Sequence, residues 1–315
     1  MKILITEGSV VSTGDISFDC FNKFGAVKIY DNITYSELEN EITDTDILLC
    51  NKIPVDKNIL SKAKNLKYVG AFATGYNNID VDTCREKGII VCNAKDYSTD
   101  AVSQQTFAYI LDFACKLKEY DGFVKNNGWI ESPVFSPIAF PTTELSGKTL
   151  GIIGYGSIGK AVAKIARAFN MRVVVNTRTV REDAETEFCD LETLLSVSDF
   201  VSVHCPLTKD NQKMFNKQTF AKFKKGAFFI NTARGGLVDE NALFDALESG
   251  HLGGAAVDVI ETEPMLESCP LLKAKNITIT PHSAWIPYET RQRLFGVVVD
   301  NIEAFLSGNP QNKVW

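Results

Sequence analysis

Residues 147–176, GKTLGIIGYGSIGKAVAKIARAFNMRVVVN, constrain the fold more tightly than any other stretch. The apolar run LGIIG is short enough for a buried strand, and it leads into Gly154, Gly156 and Gly159 at G-x-G-x-x-G spacing. SIGKAVAKIARAF then repeats with helical periodicity, and the β-branched run RVVVN follows it. Strand, glycine loop, helix and strand in that order form a βαβ unit that binds a dinucleotide. Gly154 permits the tight turn, Gly156 lets backbone N–H groups approach a pyrophosphate, and Gly159 brings helix and strand together. Ser157 and Ile158 open the helix, whose N-terminus adds positive partial charge. A glycine-rich turn with no ligand would not need all four parts.

The βα alternation extends over the rest of the chain. Downstream, DFVSVH (199–204), AFFINTA (227–233), GGAAVDV (253–259) and ITIT (277–280) read as further strands. Upstream, KILIT (2–6), AVKIY (26–30), DILLC (46–50), LKYVGAF (66–72) and GIIVCN (88–93) do the same, with YSELENEI and VDTCREKG as intervening helices. Such alternation predicts parallel sheets. At 315 residues the chain exceeds one ordinary core. The expected architecture is therefore α/β, with two Rossmann-like domains and the cofactor and substrate in the cleft between them. Residues 1–98 plus 286–315 form a discontinuous substrate domain, because PYETRQRLFGVVVDNIEAFLSG reads as one amphipathic helix packing back on the first series. Residues 99–285 form the dinucleotide-binding domain.

A helix is expected over 99–120, opened by Ser98 or Thr99. It is followed by NNGWIESPVFSPIAFPTTELSG (126–147), which carries three prolines and little periodicity. Loops this long in compact domains are normally functional. Trp129, Phe135, Ile138 and Phe140 make it too apolar for a free linker, so it reads as a dimerisation arm within a homodimer formed through 99–147. Its alternative is packing on its own subunit. The acidic run 181–187 reads as a solvated face. A net charge of −6 argues against nucleic acid or an anionic membrane as partner. No apolar run approaches a membrane span, and the amino terminus lacks a signal peptide's apolar stretch. Eight irregularly spaced cysteines fit buried free thiols in a cytoplasmic protein, with no metal site.

Three residues stand at expected carboxyl ends of strands, the edge where open α/β sheets bind ligands. Pro281 ends the ITIT ladder and His282 follows it. A histidine there is ordinarily a hydrogen-bonded surface residue, as His251 is expected to be at its helix end. Arg234, after AFFIN, can fork onto a carboxylate, although pairing with Asp239 or capping a helix is an alternative. Glu263 lies between them in chain order, past GGAAVDV, and a carboxylate beside an imidazole fixes its tautomer and favours its protonated form. Neighbouring Glu261 reads as solvated.

Together GxGxxG, NTARGGLVDE, DVIETEP and PHSAW resemble the D-isomer-specific 2-hydroxyacid dehydrogenases, over essentially the whole chain. The resemblance implies Arg234, Glu263 and His282 as catalytic residues. It implies that the Thr74 and Gly75 amides of ATGYNNID hold the substrate carboxylate, and that His204 and Pro206 of HCPLT, Thr232 and Asp258 contact the cofactor; Thr106 is counted with them. Asn51, Lys52 and the HSAW segment are most similar to the glycerate dehydrogenase (hydroxypyruvate reductase) branch, which implies that Asn51 and Lys52 contact the substrate. Trp285 stands where many relatives have glycine and would narrow the substrate pocket. The implied reaction is reversible reduction of a small 2-oxo acid, hydroxypyruvate or glyoxylate, by NAD(P)H. An alternative of another class is a nucleotide-sensing, corepressor-like interaction protein with vestigial catalysis. At the end of RVVVN, Asn176 replaces the acidic residue usual for NAD, and Arg178 can pair with a 2′-phosphate. NADPH acceptance is expected, with NAD retained.

Overall fold

A computed structural model describes residues 1–179 and 186–315. Most of the 181–187 run thus lies outside the described residues. The chain divides into two compact units, one made of 1–98 and 285–315 and the other of 99–284.

The first unit holds β1 (Lys2–Ile5), β2 (Ala26–Ile29), β3 (Ile47–Cys50), β4 (Tyr68–Ala71) and β5 (Ile90–Cys92). They pair in the order β2-β1-β3-β4-β5, all in parallel. β3 and β4 are buried at every residue, which explains why both read as unbroken apolar runs rather than alternating ones. The intervening helices start where side chains can cap them. Thr34 and Glu37 form a capping box for Tyr35–Glu41, while Asp56 and Asp80 accept from Ile59 N and Thr83 N. Leu38, Ile42, Ile59 and Leu60 cover one face of the sheet, against Leu48 and Val69. The helix Tyr288–Leu306 covers the other, placing Leu294, Phe295, Val298 and Ile302 on Ile3, Ile5, Leu49 and Phe72.

The second unit contains β6 (Thr149–Ile153), β7 (Arg172–Asn176), β8 (Glu187–Phe188), β9 (Phe200–Val203), β10 (Phe228–Asn231), β11 (Gly254–Val257) and β12 (Ile277–Ile279). Among the described residues these form one parallel sheet, ordered β12-β11-β10-β9-β6-β7-β8. β8 was not expected: it is two residues long, too short to leave a pattern, and is defined by pairing with Val174 and Val175. Val162, Ala163 and Ala166 of the helix Ser157–Ala168 pack on Leu150, Ile152 and Val175, joined by Phe107 and Ile110. The opposite face carries Leu194, Leu195, Leu243, Leu247 and a cluster of Phe215, Phe220, Phe223 and Phe229.

The helix expected over 99–120 is two helices, Thr99–Cys115 and Leu117–Lys125. Lys116 separates them at φ +54°, a left-handed conformation. No glycine or proline marks that break, so composition could not reveal it. Residues 126–147 contain neither helix nor strand. Phe140 packs on Tyr120 and Phe123, whereas Ile130, Phe135 and Ile138 are 81%, 91% and 92% exposed. All eight cysteines are free; Cys50, Cys84, Cys92 and Cys269 are buried, but Cys115 is exposed. Among the described residues no helix is long and apolar enough to cross a membrane.

Leu294 is fully buried beneath the first sheet. Leu294→Ala should destabilise the protein by about 2–5 kcal/mol, read as a lower urea midpoint. An unchanged midpoint would show that the terminal helix adds little to this core.

Candidate active site

The strand order of the second unit reverses between β6 and β9, and the loops after those strands meet there. Gly154 follows β6 at φ +94°. A Cβ on it would lie 2.7 Å from the backbone of His204 and Cys205, which follow β9. A Cβ on Gly159 would lie 2.2 Å from Gly154 O. Glycine at 154 lets the loops after β6 and β9 approach, and glycine at 159 lets the helix approach the strand end. Gly156 differs: a Cβ there would meet nothing within 4 Å, leaving its backbone accessible beside the first turn of Ser157–Ala168.

This crevice opens into a cavity of about 630 Å³. Gly154, Gly156, Ser157, Asn176 and Arg178 line it, together with His204 and Pro206. Ile158 and Gly159 lie in the helix behind. Tyr155, Lys160 and Asp210 are among the lining groups the sequence did not single out. Asn176 Nδ2 donates to Cys189 O at 2.9 Å, so the atom left for a ligand is Oδ1, an acceptor suited to a ribose hydroxyl. Arg178 is exposed at the rim. His204 shares a 2.8 Å hydrogen bond between Nε2 and Ser202 Oγ. Burial pushes its pKa down to about 3, so it is neutral there. An open glycine, helix N–H groups and an acceptor on β7 fit a dinucleotide.

A second constellation stands at the ends of β10, β11 and β12. Glu263 Oε2 lies 2.7 Å from His282 Nδ1, and both side chains are partly exposed. An ionised carboxylate only accepts, so Nδ1 carries the proton of this bond and Nε2 is the atom for proton exchange. Ile260 N donates to the other oxygen of Glu263 at 3.2 Å.

His282 has φ +53°, a conformation that non-glycine residues adopt only when held. Asp258 holds it. His282 N donates to Asp258 O at 2.7 Å. The Asp258 carboxylate, 2% exposed, accepts from Thr280 Oγ1, Ser283 N and Ala284 N at 2.5, 2.8 and 2.9 Å. Because the Thr280 proton goes to Asp258, Thr280 Oγ1 must accept from Tyr109 OH, 2.5 Å away. Sequence reasoning placed Asp258 on the cofactor and missed this buried network, which depends on a tyrosine 171 residues from Thr280.

Arg234 follows β10. Its Nη1 donates to Ala233 O at 2.6 Å, and Asn231 Nδ2 donates to Arg234 O at 2.9 Å. Gly235 packs against the loop that leads to Glu263: a Cβ there would lie 1.9 Å from Ile260. Asp239, the alternative partner for Arg234, caps Glu240–Glu248. Glu261, expected to be solvated, pairs with Lys213 at 2.9 Å.

The remaining expected residues are dispersed. Thr232 has a buried Oγ1 and does not line the cavity. Thr106 is fully buried, and its hydroxyl donates to Val102 O within its own helix. In the first unit, Thr74 and Gly75 follow β4 and Lys52 follows β3. Asn51, expected to touch substrate, is 4% exposed, with Nδ2 donating to Phe72 O at 2.7 Å. It serves the loop after β4 rather than presenting its amide to a substrate. Trp285 is partly buried, edge-on to Tyr97 at 6.4 Å between ring centroids.

Comparison with known proteins agrees with this geometry. The family model "D-isomer specific 2-hydroxyacid dehydrogenase, NAD binding domain" matches residues 107–284. A hydroxypyruvate reductase of Blautia hydrogenotrophica is 39% identical over 100% of this chain and 99% of its own. A glyoxylate reductase of Thermococcus litoralis is 41% identical over 82% of this chain and 80% of its own. The solved structure of an acyclic imino acid reductase in complex with NADPH and D-Arg matches with a TM-score of 0.90 and 29% identity, covering 100% of both chains. A glycine loop at the switch of a parallel sheet, and a histidine paired with a glutamate at its carboxyl edge, thus recur in a chain that belongs to the D-isomer-specific 2-hydroxyacid dehydrogenases, NAD(P)-dependent oxidoreductases.

Proposed function

We propose that this enzyme reduces hydroxypyruvate or glyoxylate, reversibly, to D-glycerate or glycolate. The 2.7 Å pair of Glu263 and His282 carries the reading, supported by the names of the hydroxypyruvate and glyoxylate reductases it resembles. Bound NAD(P)H supplies hydride to C2 of the 2-oxo acid. The Thr74 and Gly75 amides hold the substrate carboxylate, and Arg234 polarises the carbonyl and orients C2. His282 Nε2 gives its proton to the carbonyl oxygen; in the oxidising direction neutral Nε2 takes it back. Glu263 keeps the ring in the required tautomer. Lys52 adds a cation at the carboxylate end, and Trp285 limits substrate size. His204 and Pro206 line the cofactor's path, and Asp258 fixes the His282 turn.

For the cofactor, Asn176 offers an acceptor without the charge that would repel a phosphate. Arg178, at the cavity rim, pairs with the 2′-phosphate of NADPH, while NADH remains a substrate. The homodimer forms through 99–147, supported by the exposure of Ile130, Phe135 and Ile138, too much apolar surface in one arm for a lone subunit. The enzyme resides in the cytoplasm, a reducing compartment suited to eight free thiols; recovery from an exported fraction would contradict this.

Comparing kcat/KM across 2-oxo acids should favour hydroxypyruvate or glyoxylate, and His282→Ala should lower turnover by about 10²–10⁴-fold while cofactor still binds. Preference for bulky apolar 2-oxo acids, or near-normal turnover without His282, would overturn the reading. Arg178→Ala should weaken NADPH binding by about tenfold or more and NADH binding far less. Equal weakening of both would remove the 2′-phosphate role. Sedimentation at micromolar concentration should give a dimer, and the pair Phe135→Asp and Ile138→Asp a monomer; a monomeric wild type would exclude the arm as an interface.

A further inference from the structure

The loop after β4 is held from behind at three successive carbonyls. Asn51 Nδ2 donates to Phe72 O at 2.7 Å. Ala94 N donates to Ala73 O at 2.9 Å. Asn93 Nδ2 donates to Thr74 O at 2.7 Å. Thr74 Oγ1 also turns back, onto Ala94 O at 2.8 Å. A trans peptide sets each N–H opposite the preceding C=O. Tying back Ala73 O therefore turns out the N–H of Thr74, and tying back Thr74 O turns out that of Gly75. Among the described residues no hydrogen bond engages either amide.

The two asparagines are unusual in the same way. Asn51 and Asn93 are each 4% exposed, and among the described residues neither Oδ1 has a hydrogen-bond partner. A buried acceptor without a partner is destabilising. At both positions the fold retains an amide whose donor alone is satisfied, by a carbonyl of this one loop.

Their own positions are fixed in turn. Glu7, 6% exposed, accepts from Asn51 N, Lys52 N and Ile53 N at 2.7, 2.9 and 3.1 Å. Asn93 N donates to Asn312 O at 3.2 Å, and Asn93 O accepts from Asn301 Nδ2 at 3.0 Å. Asn312 Nδ2 reaches Asn301 Oδ1 at 2.9 Å. The terminal helix and the segment after it thus brace Asn93, as Glu7 braces Asn51.

We propose that Asn93, with Asn51 as its counterpart, is a positioning residue that aims the Gly75 and neighbouring amides at the carboxylate of the 2-oxo acid. The proposal rests on the assignment of Thr74 and Gly75 to that carboxylate. Asn93 touches no substrate; it acts through the Thr74–Gly75 peptide.

The test compares wild type with Asn93→Asp, which keeps the shape and removes the donor, and with Asn93→Ser, smaller and uncharged, should the first fail to fold. KM for glyoxylate and Ki for oxamate, a carboxylate analogue of the substrate, should rise together by about five- to tenfold. Maximal turnover should stay within about threefold, and the dissociation constant for NADPH should not move. Asn51→Asp should shift KM and Ki in the same direction. A folded variant with wild-type KM and Ki overturns the proposal. So does one in which cofactor affinity and turnover fall while the KM-to-Ki pattern is unchanged, since that is general structural damage. A wild type that neither reduces glyoxylate nor binds oxamate instead overturns the underlying assignment before any variant is compared.

Discussion

Among the described residues every strand pairing in both sheets is parallel, and the placement of the chemistry follows from that constraint. Parallel strands need crossovers, crossovers cover both faces, and only the two edges of strand ends stay open to ligands. Residues distant in sequence then gather simply by following a strand. His204, Arg234, Glu263 and His282 come after β9, β10, β11 and β12, yet each lies within seven residues of its strand's carboxyl end. The buried strands supply stability, and the residues just past them are free to carry function.

This is also why so much was legible in the sequence. The glycine loop, the βα alternation and the strand-end histidine are local patterns, each read within a few residues. The pairing of Glu263 with His282 needed only the assumption that both stand on one edge. What stayed hidden depends on contacts across the fold. The break at Lys116 has no glycine or proline to announce it, and β8 is too short for periodicity. Thr106 looked available but is fully buried, because helical residues toward the sheet face inward whatever their polarity. The resemblance assigned Asn51 to substrate, whereas its side chain serves Phe72 O. The Tyr109–Thr280–Asp258 network and the Glu7 carboxylate are invisible in the same way: each is a polar group whose partners are set by packing, not by spacing.

The two units use the strand-order reversal differently. In the second unit the crevice between β6 and β9 is kept open, with a glycine whose missing Cβ leaves backbone facing a cavity. In the first unit the reversal falls between β1 and β3, and the corresponding amides, those of Asn51, Lys52 and Ile53, already bind an anion. That anion is the chain's own Glu7 carboxylate, which follows β1. Successive N–H groups converging on a carboxylate are the arrangement that elsewhere receives a phosphate. With Glu7 in place, an external anion has no vacancy there, whereas the next strand end, β4, is followed by the unengaged amides of Thr74 and Gly75. Glu7 therefore converts a generic ligand crevice into a rigid support. Asp258 does the equivalent for the second unit, where a buried carboxylate gathers the N–H groups of the turn carrying His282. In both cases a charge that would be costly to bury alone is stabilised by backbone donors, and those same donors are what fix the loops beside the reacting groups.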